Sequence, residues 1–242
     1  MMEGNAVTVR CVWEHNGADT LLYAVDYVGA FTRGASIEAA MEKMPQEIAA
    51  YLRWIGEPSP DSVARIQVVV VEEKPSALCI RDADSDVLFA EERRPLTSEE
   101  YTALKALALK SALDFQHLYE GIPHRSATIA PPRMTFYGQV PHSAEAMYRH
   151  TQSVNAYYFG EIGVAADNDG SLYECRKRGF DALEKNPDFL ENPVSEGSYG
   201  EEWSLRKVLR RFIWHDRIHG RAMYRLAVRA FGAERVGNPF GF

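Results

Sequence analysis

The chain has 242 residues, 46% apolar and 25% charged, with a formal net charge of −7. Such a length accommodates one large or two modest domains, and such a composition excludes a disordered or low-complexity chain. The acidic balance argues against broad electrostatic binding to nucleic acid or acidic membranes, leaving only a local basic face for that role.

The chain begins with strand-like patterning. Ala6 to Trp13 and Thr20 to Tyr27 read as strands, and His15-Asn-Gly-Ala-Asp19 between them carries the Asn-Gly pair of a hairpin. Ser36 is placed to cap a helix whose stripe runs through Ile37, Ala40, Met41, Met44, Ile48, Tyr51, Leu52 and Ile55 to Gly56. Pro45 removes a backbone donor inside that stripe, which predicts a kink or a split after Met44. Arg65 to Val71 reads as a buried strand. Ala77 to Arg81 and Asp86 to Ala90 read as a further hairpin across Asp82-Ala-Asp84, giving the order β-β-α-β-(β-β).

Glu91-Glu-Arg-Arg-Pro-Leu-Thr-Ser98 is charged and marks the boundary: residues 1–92 form the first domain, 93–97 a linker, and 98–242 a helical domain. Thr97 or Ser98 can cap a helix over Glu99 to Tyr119, stopped near Gly121 and Pro123. His117, near that stop, reads as a capping or solvent-facing residue. A long connection, Arg125 to Val140, leads to a second helix that starts at Pro141-His142-Ser143 and runs to about Gly163, with His142 exposed. Asp167-Asn-Asp-Gly-Ser171 is a turn and cap without the ligand spacing of a calcium loop. A third helix follows over Leu172 to Glu184, then a second long loop to Glu202, then a final helix from about Trp203 to Phe231.

That last helix carries Trp214-His-Asp-Arg-Ile-His219. Histidines four residues apart lie one above the other on a helix, so both imidazoles reach one point beside it. Both fall on the apolar stripe of Leu205, Val208, Phe212, Ala222 and Leu226. Arg206, Arg210, Arg217, Arg221 and Arg225 read as the solvated side, balanced by Glu201 and Glu202. Buried imidazoles must be satisfied by hydrogen bonds or by a metal. His150, sharing a helical face with Met147, Val154 and Tyr157/Tyr158, supplies a third inward imidazole from another helix. Three neutral imidazoles with open positions suit Zn²⁺, Ni²⁺ or a similar divalent ion, which can acidify a water or a thiol. No Glu follows His215, so the zinc-protease pattern HExxH is absent. Asp216, turned about 100° from His215, is expected to pair with an arginine. Tyr157, Tyr158 and Trp214 are placed either to line a pocket or to pack the core.

Tyr148-Arg-His150-Thr-Gln-Ser-Val154 followed by Trp214-His-Asp-Arg-Ile-His219 resembles the DinB-like superfamily of four-helix bundles, over roughly Thr97 to Phe231. The resemblance implies a metal triad of His150, His215 and His219. It also implies a metal-dependent S-transferase or isomerase using a low-molecular-weight thiol such as bacillithiol or mycothiol.

Leu22-Tyr-Ala-Val-Asp-Tyr27, Gly29-Ala-Phe-Thr-Arg-Gly34 as a connector, and Ala35-Ser-Ile-Glu-Ala-Ala-Met41 opening a helix that ends in Tyr51-Leu-Arg-Trp54 resemble a HicB-like domain, a partial RNase H-like fold. No Pro-Gly-Cys element precedes the helix and no DNA-binding tail follows, so a binding or dimerisation module is expected here. RNase H chemistry needs several converging carboxylates, and only Asp26 and Glu38, with Asp19 in the turn, are available; these read as solvated charges.

The expected class is therefore α+β, a small β-β-α-β HicB-like domain followed by a DinB-like four-helix bundle. The competing readings are a non-catalytic interaction protein, with a structural ion or none, whose first half holds protein or RNA and whose bundle makes a homodimer, and a metal hydrolase. Cys11, Cys79 and Cys175 are odd in number and lack CxxC, which suits reduced cytosolic thiols. No signal-peptide pattern opens the chain, and Val68 to Val71 is too short to span a bilayer, so a cytoplasmic location is expected.

Overall fold

A computed structural model describes residues 7–17, 19–59, 65–135 and 138–242. Helix and strand are mixed, and the chain divides into two compact units, one up to Ala90 and one from Glu91 onward. Among the described residues, no helix is long and apolar enough to cross a membrane.

In the first unit, β1 (Val7–Asn16) and β2 (Asp19–Ala24) pair antiparallel, with Asn16 opposite Asp19 and Gly17 at φ 60° closing the turn. Ala6 and Ala18, which belong to the expected strand and turn, lie outside the described residues. A third strand, β3 (Phe31–Gly34), pairs antiparallel with β2, where the sequence reading has only a connector. Helix α1 (Ile37–Ile55) follows, and β4 (Ile66–Pro75) then pairs parallel with β1, giving the strand order β3-β2-β1-β4. The helix is capped by Ser36, whose Oγ accepts from the Ala39 N–H, and is stopped by Gly56 at φ 78°.

Three expectations are corrected in this unit. Helix α1 is not split after Met44 but continues through Pro45. Buried Ala40, Met44, Ile48, Tyr51 and Trp54 anchor it on both sides of the proline, so tertiary packing offsets the lost hydrogen bond. Strand β4 is buried only at Ile66: it sits at the sheet edge, with Val69 36% and Val71 51% exposed. The hairpin over 77–90 does not form. Ile80–Asp82 is a 3-10 turn closed by Ala83 at φ 65°, and the segment after it is held by side chains. The Asp86 N–H donates to Glu14 Oε1 (3.2 Å), and the Tyr23 hydroxyl lies within hydrogen-bond distance of both Glu14 and Ser85. Asp-Ala-Asp lacks the glycine or asparagine that a tight hairpin turn demands.

In the second unit, α2 (Ser98–Glu120), α3 (Ala144–Gly160), α4 (Leu172–Leu183) and α5 (Leu205–Phe231) pack together. Helix α2 lies against α4 and α5, and α3 packs on the same two partners. Each start carries a hydroxyl cap, from Thr97, Ser143, Ser171 and Ser204, and at Thr97 and Ser171 a glutamate three residues on reciprocates. The expected linker is fastened to this unit: the Leu96 N–H donates to Leu190 O (2.8 Å), and Asn192 Nδ2 donates to Glu92 O and Arg94 O. The two long connections contain short ribbons, β5 (Met134–Thr135) with β6 (Gly138–Gln139) and β7 (Ser195–Glu196) with β8 (Glu202–Trp203). Residues 136–137 of the first connection lie outside the described residues.

The arginine face of α5 is corrected in part: Arg225 is exposed and Arg206 and Arg221 are half-buried, but two of the five are not on a solvated side. Arg210 and Arg217 are only 3% and 0% exposed, and Lys207 is 0% exposed. Arg210 pairs with Glu92, and the Lys207 ammonium pairs with Glu201 (2.8 Å) and donates to Glu202 O (2.6 Å). Burial pulls the Lys207 amine down to about 8, against the field of Glu201. Deeper in the unit, Arg176 of α4 makes a fully buried ion pair with Asp216 of α5, Ser111 of α2 donates to the same carboxylate, and the guanidinium lies 4.2 Å from the Phe212 ring centre. Gly179 of α4 faces the Phe159 ring so closely that a Cβ would overlap it.

Asp216→Ala would leave the Arg176 charge buried without its partner. The expected loss is about 3–5 kcal/mol, read as a lower urea midpoint. Gly179→Ala should cost about 1–3 kcal/mol in the same assay, because the added methyl forces Phe159 off its packing position.

Candidate metal centre

His150 lies near the middle of α3, and His215 and His219 stand one turn apart on α5, the helix packed against it. The three rings converge, with centroids 5.2 Å apart for His150 and His215, 4.7 Å for His150 and His219, and 4.3 Å for His215 and His219. One ring nitrogen from each lies within 4.8 Å of the others. Nitrogens sharing a tetrahedral ion at ordinary bond lengths stand about 3.4 Å apart, so small ring rotations would close the set. Among the described residues, this is the one group of three or more His, Cys, Asp or Glu side chains so arranged.

The surroundings keep the imidazoles neutral. Burial, then the neighbouring His219 and His150, then Arg211, hold His215 well below its usual range. Burial and then His150 bring His219 to about 3, and burial lowers His150. Neutral imidazoles keep a lone pair for a ligand. The Nδ1 of His215 is buried without a hydrogen-bond partner, a cost of about 1–3 kcal/mol. Three neutral nitrogen donors without a carboxylate fit Zn²⁺ or Ni²⁺. His215 is buried, whereas His150 and His219 are half-buried, so the group borders solvent on their side.

Tyr158 stands edge-on to His215 with ring centres 6.0 Å apart, and Phe212 and Trp203 each lie 5.4 Å from Tyr158. Tyr158 and Trp214 are buried in this wall, and Tyr157 is 37% exposed beside Trp203. The sequence reading missed Trp203 and Arg211. Arg211 was nevertheless visible in principle, because it extends the His215 and His219 row by one turn.

No family model, curated protein or solved structure matches this chain.

The other candidates stand apart from the triad. Asp216 is turned to Arg176. His117 is exposed near the end of α2, and His142 precedes the cap of α3. Asp167 pairs with Arg178, and Ser171 caps α4, so the 167–171 turn is a structural one. In the first unit, Asp26 pairs with Arg10 (2.5 Å), and Glu38 sits beside Ser36, whose hydroxyl leads in lowering the Glu38 carboxyl.

All three imidazoles are shifted down from 6.5, so below that pH the unfolded chain binds protons that the folded chain refuses. Without metal, the imidazoles' contribution to stability should be complete above about pH 6.5 and fall as the pH drops through that window, towards about 3 for His219. Urea unfolding with chelator present, from about pH 8 to about pH 5, should show this slope, and His219→Gln should reduce it. An unchanged slope in the variant would sink the attribution.

Proposed function

We propose that the protein is a divalent-metal-dependent enzyme resembling the DinB-like thiol-dependent S-transferases and isomerases. His150, His215 and His219 would hold the ion, Zn²⁺ or Ni²⁺ by donor type. The observation that carries this reading is the convergence of three neutral imidazoles from two packed helices. Such an ion supplies Lewis acidity, making a thiolate or hydroxide nucleophile available near neutral pH.

The chain's own residues supply the setting. Burial excludes competing protons from the imidazoles, and the Tyr158, Phe212 and Trp203 rings exclude water from one side. The half-buried edges of His150 and His219 leave the other side for a substrate. Two spaced histidines on α5 and one on α3 support the DinB-like reading of the second unit, with a low-molecular-weight thiol such as bacillithiol or mycothiol as co-substrate. The strand order, with α1 between β3 and β4, supports the HicB-like reading of the first unit as a binding or dimerisation module.

Elemental analysis of the purified protein should find about one divalent transition metal per chain, lost in His150→Ala and in His215→Ala. A parent protein that stays metal-free after reconstitution at a pH where imidazole is neutral would overturn the enzyme reading.

A further inference from the structure

We propose that Asn168 is a positioning residue for the three-histidine group: by entering the backbone of α3 it sets where that helix holds His150. This rests on the metal reading above. The Ala156 N–H donates to Asn168 Oδ1 (2.9 Å), and Asn168 Nδ2 donates to Ser153 O (3.2 Å). In a regular helix the Ala156 N–H would go to the carbonyl four residues earlier, at Gln152. An acceptor from outside draws it off that ladder, and a side chain inserted in this way is one of the few causes of a helix bend. An amide suits the place, because its carbonyl and its NH₂ stand side by side, one to accept and one to donate. The contact then reaches His150 itself. Ser153, whose carbonyl Asn168 holds, turns its hydroxyl back onto His150 O (2.8 Å), a kind of bond that also bends helices.

The two halves of α3 answer to different neighbours. Beyond the point of entry, Phe159 packs over Gly179 of α4 so closely that a Cβ there would overlap the ring, and Tyr158 stands edge-on to His215. Before it, His150 must meet two imidazoles of α5, with ring centres 5.2 and 4.7 Å away. With the far half held, the direction of the helix between residues 153 and 156 decides where His150 stands. Asn168 is held firmly enough to impose that direction. Asn155 Nδ2 donates to Asp167 O (2.8 Å) on one side of it, Gln152 Nε2 donates to Gly170 O (2.6 Å) on the other, and Asp167 is paired with Arg178 of α4. Those bonds end on side chains of α3. Among the described residues of the turn, Asn168 is the one that reaches the helix backbone.

The test uses the full chain and Co²⁺, whose visible absorption reports both its binding and the geometry of its ligands. Asn168→Ala should bind Co²⁺ about tenfold more weakly than the parent, the scale of loss when a group supporting a metal ligand is removed, and with a shifted absorption. Asn168→Asp keeps an acceptor for the Ala156 N–H, so its affinity should lie between the two. Tyr101→Phe removes a hydrogen bond to Glu184 (2.8 Å) that involves neither α3 nor α5. It should lower the urea midpoint and leave Co²⁺ binding as in the parent, which separates an effect on position from a loss of stability. An Asn168→Ala protein with the parent's affinity, a loss that Asn168→Asp does not relieve, or one that Tyr101→Phe reproduces overturns this inference alone. A parent that takes up no Co²⁺ overturns the metal reading and this inference with it.

Discussion

A carboxylate and a guanidinium, both fully withdrawn from water, meet where Asp216 faces Arg176, and the arrangement of the helical unit follows from keeping them together. Either charge alone in that interior would carry a large desolvation penalty, so α5 cannot turn about its axis without exposing the chain to that cost. Ser111 adds a hydroxyl from α2, and Phe212 supplies a ring face to the guanidinium, so three helices share one anchor. With Asp216 committed to α2 and α4, His215 points about 100° away, and His219 lies one turn further along the same row. That direction is where α3 presents His150. The histidine geometry is in this sense a consequence of an ion pair that touches none of the imidazoles.

The same exclusion of water acts on the imidazoles with the opposite sign. Asp216 keeps an ionised partner beside it, whereas the histidines have only one another and more distant cations, so burial resolves their electrostatics by neutrality. Neighbouring positions on one helix therefore hold a paired ion and a neutral base. The local environment assigns the roles, and helical periodicity keeps them separate.

Much of this was legible in the residues because it depends on short-range spacing. The Ser36 cap, the Thr97 and Ser171 capping boxes, the HxxxH pair and the inward face of His150 are all local patterns with a single physical meaning. What was not legible depends on neighbours distant in the chain. Arg210, Arg217 and Lys207 occupy the polar side of a helical wheel, yet α5 is covered there at those three positions. Glu92, for example, meets Arg210 from 118 positions away, a pairing no periodicity announces. Pro45 argued against a continuous helix by a local rule that packing overrides. The 77–90 segment reads as a hairpin, but its Asp86 N–H donates to Glu14 Oε1 and its Ala90 N–H to Glu72 Oε2. Arg211 is a different kind of miss. Its spacing was in view, but the faces of Tyr158, Trp203 and Trp214 gathered round it are contacts that spacing does not show.

The edge position of β4 carries a consequence for the behaviour of the protein in concentrated solution. A sheet edge bearing exposed Val69 and Val71 is a template on which another extended chain can dock and from which sheets can grow. The same strand ends in Glu72-Glu73-Lys74-Pro75, three charges and a residue without an N–H. These residues act as gatekeepers: a chain that began to align along the valines would meet like and unlike charges in a fixed register, and then a position with no donor for the ladder. The strand thus contains both the nucleus for aggregation and the means of stopping it, within ten residues.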